Sequence, residues 1–381
     1  MTLEFQPSES AQRVSAGSLR RVAAPMQPGH INFGIGEPGF QTPEPIVEAF
    51  THSDLFERPG YGDFHGKPEL RELIADLTST TTLRRQANDV IVTNGATSGI
   101  TAVILATVGP GDRVIIPAPT YSLYADAVNL AGATPVFVPL TPDFQLDIPA
   151  IAREAEGAKL VIVCNPGNPT GVILTRNSLI ELGETLRGTQ TLVLSDEAYA
   201  AYNYDGSFVS ALEIESLSDR LIYSQTLSKT YSMTGWRAGY IVGPSKVMPW
   251  VQQVHRGMFA SLNRAVQDAA IVALRNGPES VRRHLEDFAA RRQIMIDALV
   301  DVPGVDFVRP NGAFYVFLRY HYDMSSLEMA AHLRQHGVVV RPGREFGAAG
   351  ERHVRLAYVV EPAEIEAGIT RIRAALAELS A

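Results

Sequence analysis

The sequence predicts an α/β protein: a large domain with a mostly parallel central sheet, followed by a smaller α+β domain. From about residue 45 to 250, short Val/Ile-rich runs alternate with amphipathic helical stretches. This alternation is typical of parallel strands joined by crossover helices that cover both faces of a sheet. After about residue 300 the strands follow one another more closely. A length of 381 residues also suits two domains.

The elements of the large domain follow from the apolar runs and their flanking turns. Helices are expected at 97–108, 121–131 and 175–187. Its strands are expected at Val90–Thr93, Arg113–Ile116, Pro135–Val138, Leu160–Val163, Thr191–Leu194, Arg220–Tyr223 and Gly239–Val242.

A helical stretch near 262–300 leads into the smaller domain. There, strands are expected at Val305–Val308, Ala313–Leu318, Val338–Val340 and His353–Ala357, with helices near 326–336 and from Pro362. We therefore expect an N-terminal segment (1–45) that packs with the small domain, a large domain (46–285) and a small domain (286–381).

The charge, hydropathy and cysteine content of the chain disfavour several kinds of partner and location. A net charge of −8 disfavours nucleic acid, which needs a clustered basic surface. No stretch approaches the roughly 20 apolar residues of a membrane span. The single cysteine, Cys164, excludes an internal disulfide and favours a cytoplasmic location. Because Cys164 follows a Val-Ile-Val run, it is interpreted as a small buried side chain rather than a nucleophile.

Lys229 is the best candidate for a chemically active amine. The chain has four lysines, and the other three, Lys67, Lys159 and Lys246, stand beside a proline, at the start of a strand and in a turn. Lys229 follows a predicted strand and lies among hydroxyl residues and glycines, with Arg237 eight positions further on. This setting suits an amine that attacks a carbonyl group.

Three more polar segments stand where predicted strands end. Thr93–Gly99 starts a helix with small residues, which leaves backbone N–H groups to bind an anion. Cys164–Gly171 contains two Asn-Pro turns that would position a side-chain amide. Asp196 follows an apolar strand, where a buried carboxylate requires a cation or a donor. A metal would need further ligands at a recognisable spacing, which this segment lacks.

These four sites match the needs of one cofactor, pyridoxal 5′-phosphate. Its aldehyde is held by a lysine, its pyridine nitrogen is kept protonated by a carboxylate, and its phosphate needs an anion site. Three motifs in combination are specific to one protein family: Asn165–Gly171 (Asn-Pro-Gly-Asn-Pro-Thr-Gly), Asp196–Tyr199 (Asp-Glu-Ala-Tyr) and Ser228–Arg237. From about Asn32 to the C-terminal helix, the chain resembles a class I/II aminotransferase of the fold-type I pyridoxal-phosphate-dependent family.

The resemblance implies roles at the cofactor. Lys229 would form the Schiff base and then move a proton between the substrate α-carbon and the cofactor C4′. Asp196 would pair with the pyridinium nitrogen, Tyr199 and Asn168 would hydrogen-bond the phenolic oxygen, and Tyr121 would stack on the ring. The remaining cofactor-binding residues, grouped around the phosphate, would be Gly95, Ala96, Thr97, Thr226 and Arg237.

The resemblance also implies substrates and a partner. An α-amino acid would pass its amine to a 2-oxo acid by a ping-pong mechanism. Arg355 would grip the substrate α-carboxylate, with Gly36 and Asn168 beside it, and Arg341 is expected near the substrate side chain. Tyr61 would reach the phosphate of a neighbouring subunit, so a homodimer with shared active sites is expected.

Alternative interpretations stay open at this point. The same scaffold supports a lyase or a cyclase, because elimination and cyclisation start from the same α-carbanion chemistry. A non-catalytic regulator that binds the cofactor is disfavoured, since the aminotransferase pattern begins within about 30 residues and leaves no room for a DNA-binding module.

Two motifs are interpreted as coincidental. Gly34, Gly36 and Gly39 match the spacing of a dinucleotide fingerprint, but Pro38 follows where a helix should open. Gly39 also replaces an aspartate that is frequent in the family, which puts the structure of this loop in question. His332 and His336 share a helical face, but no third ligand is recognisable, so no metal is expected.

Overall fold

The computed structural model describes residues 5–19 and 26–379. Their strands form a seven-stranded sheet, a four-stranded sheet and a two-stranded pair. The strands are β1 (Ile31–Asn32), β2 (Val90–Thr93), β3 (Arg113–Ala118), β4 (Thr134–Pro139), β5 (Ala158–Cys164), β6 (Leu192–Asp196), β7 (Leu221–Thr226), β8 (Gly239–Val242), β9 (Val305–Asp306), β10 (Tyr315–Tyr320), β11 (Val338–Val339), β12 (Arg341–Pro342) and β13 (His353–Ala357).

Helices connect these strands and cover the large sheet. Several begin at a residue whose side chain caps the first turn, as Asp147, Thr175 and Ser325 do. The helices are α1 (Glu9–Gly17), α2 (Glu44–Thr51), α3 (Pro68–Thr78), α4 (Ala96–Thr107), α5 (Leu123–Leu130), α6 (Ile148–Ala155), α7 (Arg176–Thr185), α8 (Leu227–Thr230), α9 (Met248–Phe259), α10 (Arg264–Asn276), α11 (Arg282–Leu299), α12 (Ser326–Gln335) and α13 (Pro362–Leu379).

The seven-stranded sheet has the strand order β2-β8-β7-β6-β5-β3-β4. All of its strands are parallel except β8, which runs antiparallel to both β2 and β7. The middle of β3, Val114, Ile115 and Ile116, is fully buried, as expected for a strand covered on both faces. The architecture confirms the predicted α/β class with a mostly parallel central sheet.

Several helices differ from the prediction. The helical stretch expected at 262–300 is two helices, because α10 ends at Gly277 (φ 61°) and Pro278 follows. Helix α6 was not expected, although Asp147 accepts a hydrogen bond from the backbone of Ala150 at its start.

The four-stranded sheet β12-β13-β10-β9 lies in the C-terminal third of the chain and is antiparallel. The N-terminal segment reaches this part: β1 pairs with β11, and Ala357 donates its N–H to the Phe33 carbonyl at 2.8 Å. Phe33 is fully buried in the same core as Phe314 and Leu356. The backbone after β1 is thereby held beside the carboxyl ends of the large sheet.

The carboxyl ends of β5, β6 and β7 meet at one edge of the large sheet. They carry Cys164, Asp196 and Thr226, and ligands of open parallel sheets bind at this edge. Among residues 5–19 and 26–379, no helix is long and apolar enough to cross a membrane.

Candidate active site

A cavity of about 890 Å³ opens at this edge, between the large sheet, the N-terminal segment and the loops around β12 and β13. Most of the residues predicted for the site line it. They are Gly36, Ala96, Thr97, Tyr121, Asn168, Asp196, Tyr199, Thr226, Lys229, Arg237 and Arg355.

Lys229 reaches the cavity from the short helix α8, which follows β7 directly. Thr226 caps this helix by accepting a hydrogen bond from the Ser228 N–H, and Tyr202 donates its hydroxyl to the Lys229 carbonyl at 2.7 Å. The Nζ atom donates to the Gly36 carbonyl at 2.7 Å. Burial lowers the pKa of the Lys229 amine to about 8, although Glu37 opposes this effect. The amine can therefore lose its proton and act as a nucleophile or base near neutral pH.

Asp196 ends strand β6 with a buried carboxylate. The Tyr124 hydroxyl donates to Oδ2 at 2.7 Å, and the Ala198 N–H donates to Oδ1 at 3.3 Å. Burial raises the pKa of Asp196, while these two donors lower it. A carboxylate fixed by two donors at the wall of a cavity suits a cationic ring nitrogen.

Helix α4 and Arg237 form an anion site at one end of the cavity. Gly95 precedes the helix with φ 82°, no side chain caps the first turn, and no acidic residue lies in it. A Cβ atom at Gly95 would stand 2.9 Å from Nη2 of Arg237, so only glycine lets the guanidinium approach this backbone. Free N–H groups, the helix dipole and a guanidinium together suit a phosphate.

A chain of hydrogen bonds runs across the opposite wall. Nη1 of Arg355 donates to Oδ1 of Asn168 at 2.9 Å, and Nδ2 of Asn168 donates to the Tyr199 hydroxyl at 3.2 Å. The Tyr199 hydroxyl also lies 2.9 Å from that of Tyr315. The side chains expected at the carboxylate and at the phenolic oxygen are therefore in direct contact.

Arg355 is held in place before any substrate binds. It lies on β13, is only 7% exposed, and donates Nη2 to the Gly34 carbonyl at 2.7 Å. Its Cζ atom lies 4.4 Å from the centre of the Tyr315 ring. A Cβ atom at Gly36 would overlap the Tyr315 hydroxyl, so this backbone can pack against Tyr315 only as glycine.

The chemical groups that line this cavity fit pyridoxal 5′-phosphate. A poised amine, a buried carboxylate and an anion site face one cavity, which is the combination that the aldehyde, the pyridine nitrogen and the phosphate require. The Tyr121 ring also lines this cavity and meets the Tyr124 ring edge-on at 5.8 Å. Gly95 lies behind Arg237 rather than on the cavity wall. Tyr61 is 90% exposed and does not line this cavity.

Sequence reasoning missed Tyr124 and Tyr315, both of which line the cavity, and noted Ser228, which also lines it, only among the hydroxyl residues around Lys229. Tyr124 stands one helical turn after Tyr121, and Tyr315 alternates with buried apolar residues along β10, so each resembles an ordinary core residue. Cys164 is half-buried and also lines the cavity, and burial raises the pKa of its thiol to about 12. This thiol is therefore protonated at neutral pH, which agrees with its interpretation as a non-nucleophilic residue.

Arg341 lines the outer part of the cavity and lies 2.7 Å from Oε2 of the buried Glu345. An acidic substrate would thus meet an arginine that already has a carboxylate partner. Gly39 has no positive φ, and a Cβ atom there would come no closer than 3.4 Å to the Val359 carbonyl. The loop therefore does not depend on glycine at this position.

The two helical histidines have a third neighbour that the sequence did not reveal. Glu378 lies 3.0 Å from Nε2 of His336, and one ligand atom of each of the three side chains lies within 4.8 Å of the others. However, His332 donates Nε2–H to the Ala375 carbonyl, and His336 donates Nδ1–H to the His332 carbonyl. The His332–Ala375 bond and the His336–Glu378 contact join α12 to α13, and the absence of a metal stays a prediction.

Glu197, next to Asp196, gives a testable pH effect. It is fully buried, accepts hydrogen bonds from Ser195 Oγ and the Ala211 N–H, and burial raises its pKa to about 7. The pKa of Glu197 is higher in the folded than in the unfolded protein. Its protonation therefore contributes fully to the free energy of unfolding below pH 4.5, and this contribution is lost as pH rises through about 7. Glu197→Gln should therefore gain stability over the wild type by roughly 3 kcal/mol as pH rises from ~5 to ~8.

Urea unfolding of both proteins at the two pH values would measure this difference. The exposed Glu215→Gln is the matched control and should show no such trend. An advantage for Glu197→Gln that is equal at both pH values would contradict the assignment.

Comparisons with known proteins place the chain in a family. The model for aminotransferases of class I and II matches residues 28–372. A putative aminotransferase of Bacillus subtilis is 32% identical over 96% of this chain and 97% of its own length. An aspartate aminotransferase of Sulfurisphaera tokodaii is 32% identical over 90% of this chain and 89% of its own.

The solved structures agree with this result. An aromatic aminotransferase of Pyrococcus horikoshii superposes with a TM-score of 0.88 at 30% identity and covers 97% of this chain and 99% of its own. The chain therefore belongs to the class I and II aminotransferases, pyridoxal-phosphate-dependent enzymes of the fold-type I architecture that pass an amine from an amino acid to a 2-oxo acid.

Proposed function

We propose that the cavity is the transamination site, with Lys229 as the catalytic lysine. The observation that carries the proposal is the convergence of the Lys229 amine, the Asp196 carboxylate and the Arg237 anion site on one cavity that also exposes Arg355. When bound, pyridoxal phosphate supplies an aldehyde for the lysine and an electron-withdrawing ring for the substrate electrons.

The protein's own groups hold that cofactor in one orientation. Asp196, oriented by Tyr124, keeps the ring nitrogen protonated. Thr97, Thr226, Arg237 and the first N–H groups of α4 bind the phosphate, with Gly95 and Ala96 forming the backbone there. Tyr121 would pack against the ring, while Asn168 and Tyr199 would donate hydrogen bonds to its phenolic oxygen.

Arg355 fixes the substrate by its α-carboxylate, with Gly36 and Asn168 at its sides. Its guanidinium is rigid because Asn168 and Gly34 hold Nη1 and Nη2 from behind. A carboxylate bound there would place the α-carbon toward Lys229, whose amine would take up the α-proton and deliver it to C4′. Burial of the lysine favours this step, because it lowers the amine pKa toward neutral pH.

The outer cavity suits a polar substrate side chain. Glu37, Arg334, Arg341 and Glu345 line it, so both signs of charge are present. The relatives carry names with different substrates: aspartate, aspartate and prephenate, and arginine with pyruvate. We place Arg341 beside the side chain, and Arg341→Ala should change the ratio of activities on aspartate and alanine.

A half-reaction screen tests the function. Each amino acid is mixed with the holoenzyme without a keto acid, and the visible absorbance and the 2-oxo acid product are followed. Transamination predicts one equivalent of 2-oxo acid and an enzyme that a second 2-oxo acid restores. Continuous release of ammonia without an acceptor would instead indicate a lyase, and full retention of the absorbance with every amino acid would indicate a regulator.

We also propose a homodimer with shared sites, in a cytoplasmic protein. Tyr61 is 90% exposed and lies outside its own cavity, as a residue that serves a neighbouring subunit would. The separate sheets and the pairing of β1 with β11 support a division into an N-terminal segment (1–45), a large domain (46–285) and a small domain (286–381), although the boundary at 285/286 falls within helix α11. The single cysteine supports the location.

A hybrid dimer would test the shared site. Tyr61→Ala should damage the partner's site, and Lys229→Ala its own. Equal amounts of the two variants, dissociated and reassociated together, should regain about a quarter of wild-type activity, because half of the dimers are hybrids with one complete site. Activity no higher than the sum of the separate variants would contradict a contribution of Tyr61 across the interface.

A further inference from the structure

Tyr315 stands behind a residue of the proposed cofactor site. Its hydroxyl lies 2.9 Å from the hydroxyl of Tyr199, its side chain is 1% exposed, and it lines the same cavity. The two tyrosines come from different sheets, since Tyr315 begins β10 and Tyr199 follows β6. We infer that Tyr315 is a positioning residue that donates its proton to Tyr199 and thereby turns the Tyr199 O–H toward the phenolic oxygen of the cofactor.

The count of protons and lone pairs carries this inference. A tyrosine hydroxyl has one proton to donate and two lone pairs to accept with. The Asn168 amide is oriented by Arg355, which donates to its Oδ1, so its Nδ2 must be the donor toward Tyr199. One lone pair of Tyr199 is thus occupied. If Tyr315 donates to the second, the proton of Tyr199 is left to point into the cavity.

Arg355 favours this direction of donation. Its guanidinium lies over the Tyr315 ring at 4.4 Å. Burial raises the pKa of Tyr315, and the positive charge of Arg355 partly opposes this effect. Burial raises the pKa of Tyr199 well above its ordinary value, and Arg355 is only a minor cause there. Tyr315 is therefore a neutral hydroxyl whose donor strength the cation increases. Its position is also fixed, because the hydroxyl abuts the Gly36 backbone.

The inference rests on the proposed contact between Tyr199 and the phenolic oxygen, and its consequence is spectroscopic. A good donor stabilises the negative charge of that oxygen and keeps the apparent pKa of the holoenzyme's visible absorption band low. Without the Tyr315 hydroxyl, Tyr199 becomes a weaker and less directed donor. Tyr315→Phe should therefore raise that apparent pKa by roughly half a unit to one unit.

The control lies on the same strand. Tyr320 is also 1% exposed, and its hydroxyl donates to the Met324 carbonyl at 3.1 Å, away from the cavity. Tyr320→Phe makes the same chemical change and should leave the absorbance titration unaltered. Because Tyr315→Phe keeps the ring beneath Arg355, the fold and the cation–π contact are retained.

A double variant separates a relay through Tyr199 from an independent effect. Tyr199→Phe should shift the titration further in the same direction, and Tyr199→Phe/Tyr315→Phe should match Tyr199→Phe alone. The inference would be overturned if the pKa shifts of the two single variants added in the double variant. It would also be overturned if Tyr199→Phe shifted the apparent pKa while Tyr315→Phe left it at the wild-type value. A Tyr199→Phe titration equal to the wild type would instead overturn the proposed role of Tyr199, and this inference with it.

Discussion

Lys229→Ala is expected to slow the first half-reaction by about 10⁴-fold or more, because in the proposed function the lysine supplies both the nucleophile for the cofactor and the base for the substrate α-proton. Lys229→Ala should retain much of the affinity for the cofactor. The phosphate site at α4 and Arg237 and the carboxylate of Asp196 do not depend on this side chain. The measurement is the single-turnover rate of 2-oxo acid formation with saturating cofactor.

Two further variants make this result specific. Lys229→Arg keeps a positive charge but cannot lose its proton near neutral pH, so it should be as inactive as the alanine variant. Lys246→Ala removes an exposed lysine on the turn after β8 and should leave the rate unchanged. A rate for Lys229→Ala or Lys229→Arg near that of the wild type would refute the central assignment.

The sheet was predictable because most of its strands contain a short apolar run. Val90–Thr93 and Gly239–Val242 were placed at the bounds that the structure shows. A buried parallel strand bears apolar residues on both faces, so its short Val/Ile run stands out between turns. Local pattern carries no information about direction, which explains why the antiparallel course of β8 was not foreseen.

The site was predictable where polar residues interrupt that pattern at strand ends. Asp196 and Lys229 stand two and six residues after apolar runs that end at Leu194 and Tyr223, so polar side chains were expected at the strand ends there. The residues that orient them gave no such signal. Tyr124 lies 72 positions from the Asp196 it holds, and Tyr315 lies 116 positions from Tyr199. Only the fold brings these pairs together, since tyrosine is common in apolar cores.

Arg355→Ala is expected to lower kcat/KM for amino acids by roughly 10²- to 10³-fold. The proposed bidentate partner of the α-carboxylate is lost, and Oδ1 of Asn168 and the Gly34 carbonyl lose their donor as well. Arg355→Lys should recover only part of this loss, because an ammonium is a point charge that cannot make both contacts. Steady-state kinetics with one amino acid and one 2-oxo acid would give the ratios.

A substrate without the carboxylate distinguishes recognition from misfolding. For an amine that lacks the α-carboxylate, the kcat/KM of the wild type should be as low as that of Arg355→Ala for the amino acid. On that amine, the kcat/KM of Arg355→Ala should fall little below that of the wild type. Arg319→Ala, an exposed change on the neighbouring strand β10, should retain wild-type kinetics. If Arg355→Ala still preferred the carboxylate-bearing substrate by the wild-type factor, another group would bind it. Arg341 would then be the next candidate, since its guanidinium also lines the cavity.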